Sequence, residues 1–250
     1  RSEKKESGSF WEMLRTVFYA LILALVVRSF AYEPFSIPSA SMVPNLKIND
    51  YLFVSKFSYG YSRYSFPLGL PIFEERIWET RPERGDVAVF KLPADNSTDY
   101  IKRIVGLPGD SIQVRSGFLF INGRQVERRR VEDYVFLDQF GRSVRMAQYQ
   151  ETLPNGRRYR VIEKTDLGPL DNTTVYYVPD NRYFLMGDNR DNSIDSRVLE
   201  RVGYVPYENF VGRASFVFFS LKVPFWQVWR WPFEMRYERF FLDVNRNDQS

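Results

Sequence analysis

Two patterns of apolar positions divide the chain into a short N-terminal segment and a longer strand-rich part. The apolar stretch from Phe10 to Tyr32 carries no charge between residues 16 and 27. As an α-helix at 1.5 Å per residue the stretch measures about 34 Å, and about 20 residues suffice to cross the hydrocarbon core of a bilayer. We therefore predict a transmembrane helix at 10–32.

The residues at the ends of this stretch suit a membrane interface. Glu12, Arg15 and Arg28 lie near the ends, where long side chains can reach water, and Trp11 and Tyr32 stand where interfacial aromatic residues are common. A cleaved secretory signal peptide and a buried core helix are the alternatives. A retained anchor is favoured over the signal peptide because no small-x-small cleavage site follows the stretch closely.

The basic residues before the apolar stretch predict its orientation. They are Arg1, Lys4, Lys5 and Arg15. By the positive-inside rule, we expect residues 1–9 on the cytoplasmic side of the membrane and residues 33–250 on the opposite side. The chain begins at Arg1 rather than at a methionine, which is consistent with a fragment.

The pattern after residue 32 is that of β-strands, with short β-branched and aromatic runs between Gly, Pro and Asn turns. Examples are Tyr51–Val54, Asp86–Phe90, Ser111–Val114 and Phe118–Ile121. Asn122-Gly123 and Asn155-Gly156 are typical of hairpin turns.

These patterns predict a mainly β protein, in which the transmembrane helix is followed by an all-β core with an inserted second β-subdomain. The arginine-rich composition of 111–181 marks the insertion. The predicted division is a segment at 1–9, the helix at 10–32, a core at 33–110 and 182–241, the insertion at 111–181 and a tail at 242–250.

Composition excludes several classes of protein. A net charge of +4 in 250 residues is small for a nucleic-acid-binding protein, and the basic run at 128–130 is flanked by acidic residues, which favours a solvated strand or turn. With neither cysteine nor histidine, the chain has no disulfides, no thiolate nucleophile and none of the commonest transition-metal ligands. Carboxylate binding of calcium or magnesium stays open.

The segment from Phe216 to Phe241 is unusually aromatic, with 11 aromatic residues. It includes Trp226, Trp229 and Trp231 close to Arg230. Tryptophan and arginine together favour a bilayer interface, so we predict membrane contact here. Packing inside the protein is the alternative.

The absence of histidine narrows the chemistry open to Ser41, in the segment Phe35–Met42. A serine nucleophile without histidine needs another base, and lysine is the known substitute. Lys102 lies between Ile101 and Ile104, and such apolar neighbours could lower the pKa of its amine toward neutrality. Taken alone, an exposed lysine on a strand is the commoner outcome.

A polar segment at 186–197 favours a base at Lys102 over an exposed lysine on a strand. A plain connecting loop and a calcium-binding loop are two interpretations, but Arg190 occupies a ligand position of the calcium template and the required glycine is missing. Arg190 and Arg197 among the acidic residues instead indicate ion pairs within the loop.

The chain resembles bacterial type I signal peptidase of the Gram-negative form, the membrane-bound Ser-Lys protease that removes signal peptides. Four ordered boxes carry the resemblance over nearly the whole chain: FSIPSASMVPNL, RGDVAVFK, YIKRIVGLPGD and GDNRDNSIDSR. The family's enzymes use no cofactor or metal and cut after small residues at positions −1 and −3.

The resemblance implies a role for each matching residue near the reaction. Ser41 would be the nucleophile and Lys102 the general base, and Ser39 would help the Ser41 N–H to form the oxyanion hole. Ser193 would orient the Lys102 amine by a hydrogen bond, and Tyr100 would pack against the dyad.

The resemblance also implies a substrate pocket and a supporting framework. The pocket residues would be Phe35, Ile37, Met42, Leu46 and Ile101. Gly187 would let the polar loop pass close to Lys102, and two ion pairs would hold the loop, namely Arg103 with Asp188 and Arg197 with Asp195.

The expected partners are preprotein signal peptides and the lipid bilayer, with no nucleic acid, and the protein is expected to function as a monomer. The open alternatives are a specialised Ser-Lys processing peptidase with a narrow substrate range, a self-cleaving repressor, and a non-catalytic membrane-anchored β-domain. The predicted membrane span argues against the repressor, and the intact Ser41, Lys102 and Ser193 argue against the non-catalytic domain.

Overall fold

The computed structural model describes residues 6–65, 76–137 and 141–247, and shows a mainly β protein with one long helix. The helices are α1 Glu6–Phe30 and α2 Trp231–Glu234. The first eight strands are β1 Tyr32–Ser36, β2 Asp50–Ser55, β3 Val87–Lys91, β4 Asp99–Gly106, β5 Ser111–Arg115, β6 Phe118–Ile121, β7 Arg124–Gln125 and β8 Glu127–Arg130. The others are β9 Tyr134–Leu137, β10 Ser143–Thr152, β11 Arg158–Glu163, β12 Tyr176–Tyr177, β13 Arg182–Met186, β14 Val205–Pro206, β15 Phe210–Ser220 and β16 Leu242–Asp243.

Helix α1 is the N-terminal apolar helix that the sequence predicts. The part from Phe10 to Arg28 is long and apolar enough to cross a membrane, and its described side chains are exposed. The helix ends at Phe30, earlier than predicted, because Tyr32 pairs with Ser55 as the first residue of β1. An exposed apolar helix of this length fits a membrane anchor.

The main sheet brings together distant parts of the chain. Its strand order is β1-β2-β15-β3-β4-β13-β14, with β16 added on β15. Each pair of neighbours in it is antiparallel. Strand β1 lies at one end of this order, so one of its edges remains open to another strand among the described residues.

The region predicted as an insertion forms two smaller sheets. One has the order β12-β5-β6-β7, and the other has the order β11-β10-β8 with β9 also paired to β10. Asn122 and Gly123 both have positive φ in the β6–β7 turn, and Gly156 has positive φ between β10 and β11, as the turn signals predict. One hydrophobic cluster joins the insertion to the main sheet, since it contains Val161 together with Phe184.

The sequence analysis predicts a separate C-terminal tail at 242–250, but the described part of it, 242–247, packs on the main sheet. Leu242 pairs with Val217, and Val244 is buried in a cluster of the main sheet. The Asn245 carboxamide oxygen accepts a hydrogen bond of 2.9 Å from the backbone N–H of Val87. The predicted boundary was wrong because polar residues such as Asp243 and Asn245 conceal a strand whose partners lie far away in the chain.

Candidate active site

Ser41 lies in the turn that follows β1, and its side chain is almost enclosed. The residue is 7% exposed, and its Oγ lies 2.8 Å from Lys102 Nζ and 3.3 Å from Ser39 Oγ. Asn189 holds the turn from the other side: its backbone N–H donates to Ser41 O and its Nδ2 donates to Ala40 O, both at 3.0 Å. Ser41 therefore sits on a turn that is held by residues far away in the sequence.

Lys102 reaches Ser41 from β4 and is 4% exposed. Burial lowers the pKa of its amine to about 8, against a smaller opposing effect of Asp195 and Asp188. Its Nζ also contacts the Ile101 carbonyl oxygen at 2.9 Å and lies 5.3 Å from the centre of the Tyr100 ring. A neutral amine at this position can accept the Ser41 hydroxyl proton.

Arg103 is the next residue of β4, and its side chain makes a different contact. Its Nε and Nη2 donate to the two carboxylate oxygens of Asp188, both at 2.8 Å, and Nη1 donates to Gly85 O. Asn45 Nδ2 donates to the same Asp188 carboxylate at 2.7 Å. Although burial opposes it, the Asp188 charge raises the pKa of Arg103. The polar loop is thus clamped both to β4 and to the turn of Ser41.

Asp195 and Arg197 form the second ion pair within the loop. Arg197 donates to both Asp195 oxygens at 2.9 Å, and the Gly187 N–H donates to Asp195 Oδ2 at 3.0 Å. Although burial opposes it, the Arg197 charge lowers the pKa of Asp195. The two carboxylates whose charges act on Lys102, Asp195 and Asp188, are therefore each already paired with an arginine.

Gly187 is required by close packing, although its nearest neighbours differ from the predicted one. A Cβ added there would lie 2.2 Å from Ser193 Oγ and 2.7 Å from Ser41 O, and the three nearest atoms do not include Lys102. Ser193 is buried, and its hydroxyl interacts with the Asp195 carboxylate, which helps to lower the pKa of that carboxyl. The partners of Lys102 Nζ are Ser41 Oγ and Ile101 O, so the predicted hydrogen bond from Ser193 to Lys102 is not formed in this structure.

The predicted pocket residues separate into two groups. Phe35, Ile37 and Ile101 line a cavity of about 390 Å³ between β1 and the start of β4. Met42 and Leu46 are fully buried in the hydrophobic cluster behind it and do not line the cavity. The prediction placed these two at the surface of the pocket because the sequence does not distinguish an apolar residue that lines a pocket from one that is buried in the core behind it.

Sequence reasoning missed three residues that hold the site together. Asn45 and Asn189 make the contacts described above, and Glu151 of β10 forms a buried ion pair with Arg190. Arg190 therefore pairs outside its loop, contrary to the prediction of a pair within it. Both asparagines lie inside the sequence boxes, but asparagine is so common in turns that its side-chain contacts leave no distinctive signal.

No group of three or more carboxylates that could hold a metal ion occurs among residues 6–65, 76–137 and 141–247. The charged groups at the site are instead paired with one another, as in the Arg103–Asp188 and Arg197–Asp195 pairs.

Comparison with known proteins shows the family of this chain. The family model described as signal peptidase, peptidase S26, matches residues 10–219. Signal peptidase I of Rickettsia typhi is 40% identical over 90% of this chain and 86% of its own. Signal peptidase I of Rickettsia prowazekii is 42% identical over 90% of this chain and 84% of its own. A crystal structure of a signal peptidase I from Enterococcus faecalis is 28% identical, with a TM-score of 0.32, and covers 54% of this chain and 97% of its own.

The fold and the relatives define a serine peptidase with an apolar N-terminal helix that fits a membrane anchor. The chain belongs to the signal peptidase family, peptidase S26. It is accordingly a hydrolase that removes signal peptides.

Proposed function

We propose that the Ser41–Lys102 pair cleaves preproteins after a small-x-small site. The observation that carries this proposal is the 2.8 Å distance between Lys102 Nζ and Ser41 Oγ at a buried site where the amine has a pKa of about 8. An amine with a pKa of about 8 is neutral in about a tenth of molecules at pH 7, against fewer than about one in a thousand for an ordinary lysine, so it can act as a base without histidine.

The proposed reaction has two halves that use the same lysine. Lys102 accepts the Ser41 proton as Oγ attacks the scissile carbonyl carbon, and it then gives that proton to the leaving amine. Water next attacks the acyl-enzyme, with Lys102 again accepting a proton and returning it to Ser41. The Ser39 hydroxyl and the Ser41 N–H would stabilise the negatively charged oxygen, and the 3.3 Å between the two serine oxygens supports this role for Ser39.

The substrate segment before the cut would lie extended along β1. Strand β1 pairs with β2 on one edge, and its residue Phe35 faces the 390 Å³ cavity together with Ile37, just after the strand, and Ile101. An extended peptide can pair with such an edge by backbone hydrogen bonds. These three large side chains leave a shallow space, which favours small substrate residues at positions −1 and −3.

The membrane would contribute to substrate capture through α1 and the aromatic segment. We propose that residues 1–9 are cytoplasmic and that the catalytic part lies on the periplasmic side of the bacterial inner membrane. Trp226 and Trp229 are 72% and 70% exposed, which supports contact with the bilayer interface. Trp231 is half-buried and its Nε1 donates to Phe225 O, so its role would be to pack the aromatic segment against itself.

We propose that one chain suffices for activity.

The test is cleavage of a preprotein in detergent by the wild type, Ser41→Ala and Lys102→Ala, with sequencing of the new N-terminus. Loss of cleavage in both variants, with the wild type cutting after a small-x-small site, is the expected result. Continued cleavage by Lys102→Ala would remove lysine as the base. Cleavage of a few preproteins only would favour a specialised processing peptidase, and no cleavage at all would favour a non-catalytic domain.

A further inference from the structure

A second cavity opens on the other side of the nucleophile turn from the β1 cavity. It has a volume of about 910 Å³ and begins at Ala40 and Asn189, the residues next to Ser41 in the chain and in space. It extends between the main sheet and the insertion, and it shares no lining residue with the 390 Å³ cavity at β1. We refer to it as the distal cleft.

The position of the distal cleft follows the path of a peptide through the site. If the residues before the cut lie along β1 and the scissile bond lies at Ser41, the chain after the cut must leave past Ala40. The distal cleft lies there, and Val43, Phe136 and Ile162 supply an apolar lining for side chains. The cleft is therefore an exit for the part of the substrate that becomes the mature protein.

The charged residues that line the distal cleft indicate which substrate side chains it favours. Lys47, Lys164 and Lys222 line it and form no ion pair with any described residue. Asp191 is the one acidic residue of its described lining, and its Oδ2 already accepts hydrogen bonds from the backbone N–H groups of Lys164 and Thr165. The lining is therefore strongly basic.

The surroundings of Lys47 show the same excess of positive charge. Burial and the charges of Arg239 and Arg236 lower the pKa of its amine, against the smaller opposing effects of Asp50 and Glu238. The Asp50 carboxylate is shared by both arginines, through hydrogen bonds to Arg239 and a 3.8 Å contact to Arg236. An anionic group entering here would thus find cations that the protein itself does not neutralise.

We propose that the distal cleft receives the substrate segment after the scissile bond and that Lys47 and Lys164 select acidic side chains in its first residues. This inference rests on the proposed function, since it needs the cut to occur at Ser41. A half-exposed pair of opposite charges contributes modestly, so we expect each lysine to change kcat/KM by about two- to fivefold at low salt.

The experiment uses three substrates that are identical up to the cut and carry Glu-Glu, Gln-Gln or Lys-Lys at the second and third residues after it. We measure kcat/KM in non-ionic detergent at about 50 mM and about 500 mM salt, because salt screens partly exposed charges. The expected order is Glu above Gln above Lys, with a spread that narrows at high salt. The double variant Lys47→Gln, Lys164→Gln should remove most of the spread, and Lys47→Glu, Lys164→Glu should reverse it.

The matched control is Arg124→Gln, Arg201→Gln, which removes the same charge from two exposed residues outside the cleft and should keep the wild-type order. Equal rates of the wild type on all three substrates, with normal cleavage of the Gln-Gln substrate, would overturn the inference and leave the proposed function standing. Lack of cleavage of any substrate would overturn both. If the lysine variants alter only the response to phosphatidylglycerol vesicles and not the substrate order, the cleft binds lipid headgroups and the inference is wrong.

Discussion

Lys102 and Arg103 are neighbours on β4 and both are buried, but their pKa values are shifted in opposite directions. Successive residues of a strand face opposite sides, so Lys102 meets Ser41 and Arg103 meets Asp188. Burial lowers the pKa of Lys102 to about 8, whereas the Asp188 charge overcomes burial and raises the pKa of Arg103.

The difference shows how one strand can supply both the proposed base and an ion pair that holds the polar loop. A buried cation without its own carboxylate is poised to lose its proton, while one with a bidentate carboxylate keeps its charge and holds structure. The carboxylates whose charges oppose the lowering of the Lys102 pKa are Asp195 and Asp188, and each accepts hydrogen bonds from an arginine. Four predictions test this contrast, in order of decreasing effect.

Replacing Lys102 with methionine should separate activity from stability. We expect kcat to fall by about 10⁴-fold or more, because the base is lost. The free energy of unfolding should rise by about 1–3 kcal/mol, because methionine avoids the cost of burying an amine whose pKa is lowered from 10.5 to about 8. Single-turnover cleavage and urea unfolding near pH 7 measure the two effects. A less stable variant would show that Lys102 contributes to structure as Arg103 does.

Replacing Arg103 with methionine should destabilise the protein by about 3–5 kcal/mol, because Asp188 is left buried without its partner. Thermal and urea unfolding measure the loss. The double variant Arg103→Met, Asp188→Leu should recover much of it, since no charge then remains unpaired. Arg230→Met is the control at the exposed Arg230–Glu234 pair, where we expect about 1 kcal/mol or less. Equal losses at the two pairs would contradict the clamp.

Replacing Gly187 with alanine should displace the nucleophile turn, because the added Cβ would lie 2.7 Å from Ser41 O. We expect kcat to fall by about 10- to 100-fold, as for a displacement of about 1 Å in other active sites. Gly123→Ala is the control: the added Cβ there meets no atom within 4 Å, although φ +73 makes the substitution strained, whereas Gly187 has no positive φ. Steady-state kinetics should show unchanged kcat for that control, and a similar fall in both variants would mean that the contact with Ser41 O is not the cause.

The pH profile tests the lowered pKa of Lys102 directly. The base is the neutral amine, so kcat/KM should rise about tenfold per pH unit below pH 8 and level off above it. Because the folded pKa lies below the ordinary value of 10.5, the unfolded state binds more protons between about pH 8 and pH 10.5, and this residue's contribution to the free energy of unfolding grows across that window. Kinetics from pH 6 to 9 on an uncharged peptide measure the first effect; a flat profile would place the base elsewhere.

The sequence predicted the elements whose signals are local. The apolar segment Phe10–Arg28, with charges only near its ends, is long enough as a helix to cross a membrane, and this can be read from its own residues. Asn122-Gly123 forms its turn because of the backbone conformations that those two residues accept. The dyad could be named because the chain has no histidine and four ordered boxes leave one serine and one lysine in the matching positions.

Other features depend on contacts between distant segments and could be found only in the tertiary structure. Val244 joins the core because β16 adds to β15, and Met42 lies behind the pocket because the turn of Ser41 folds inward. Asn189 holds the turn of Ser41 across a separation of almost 150 residues, through a hydrogen bond to Ala40 O. Hydrophobicity and turn preference are properties of single residues, whereas burial, ion pairing and the pKa of Lys102 are properties of an environment that exists only once the strands have assembled.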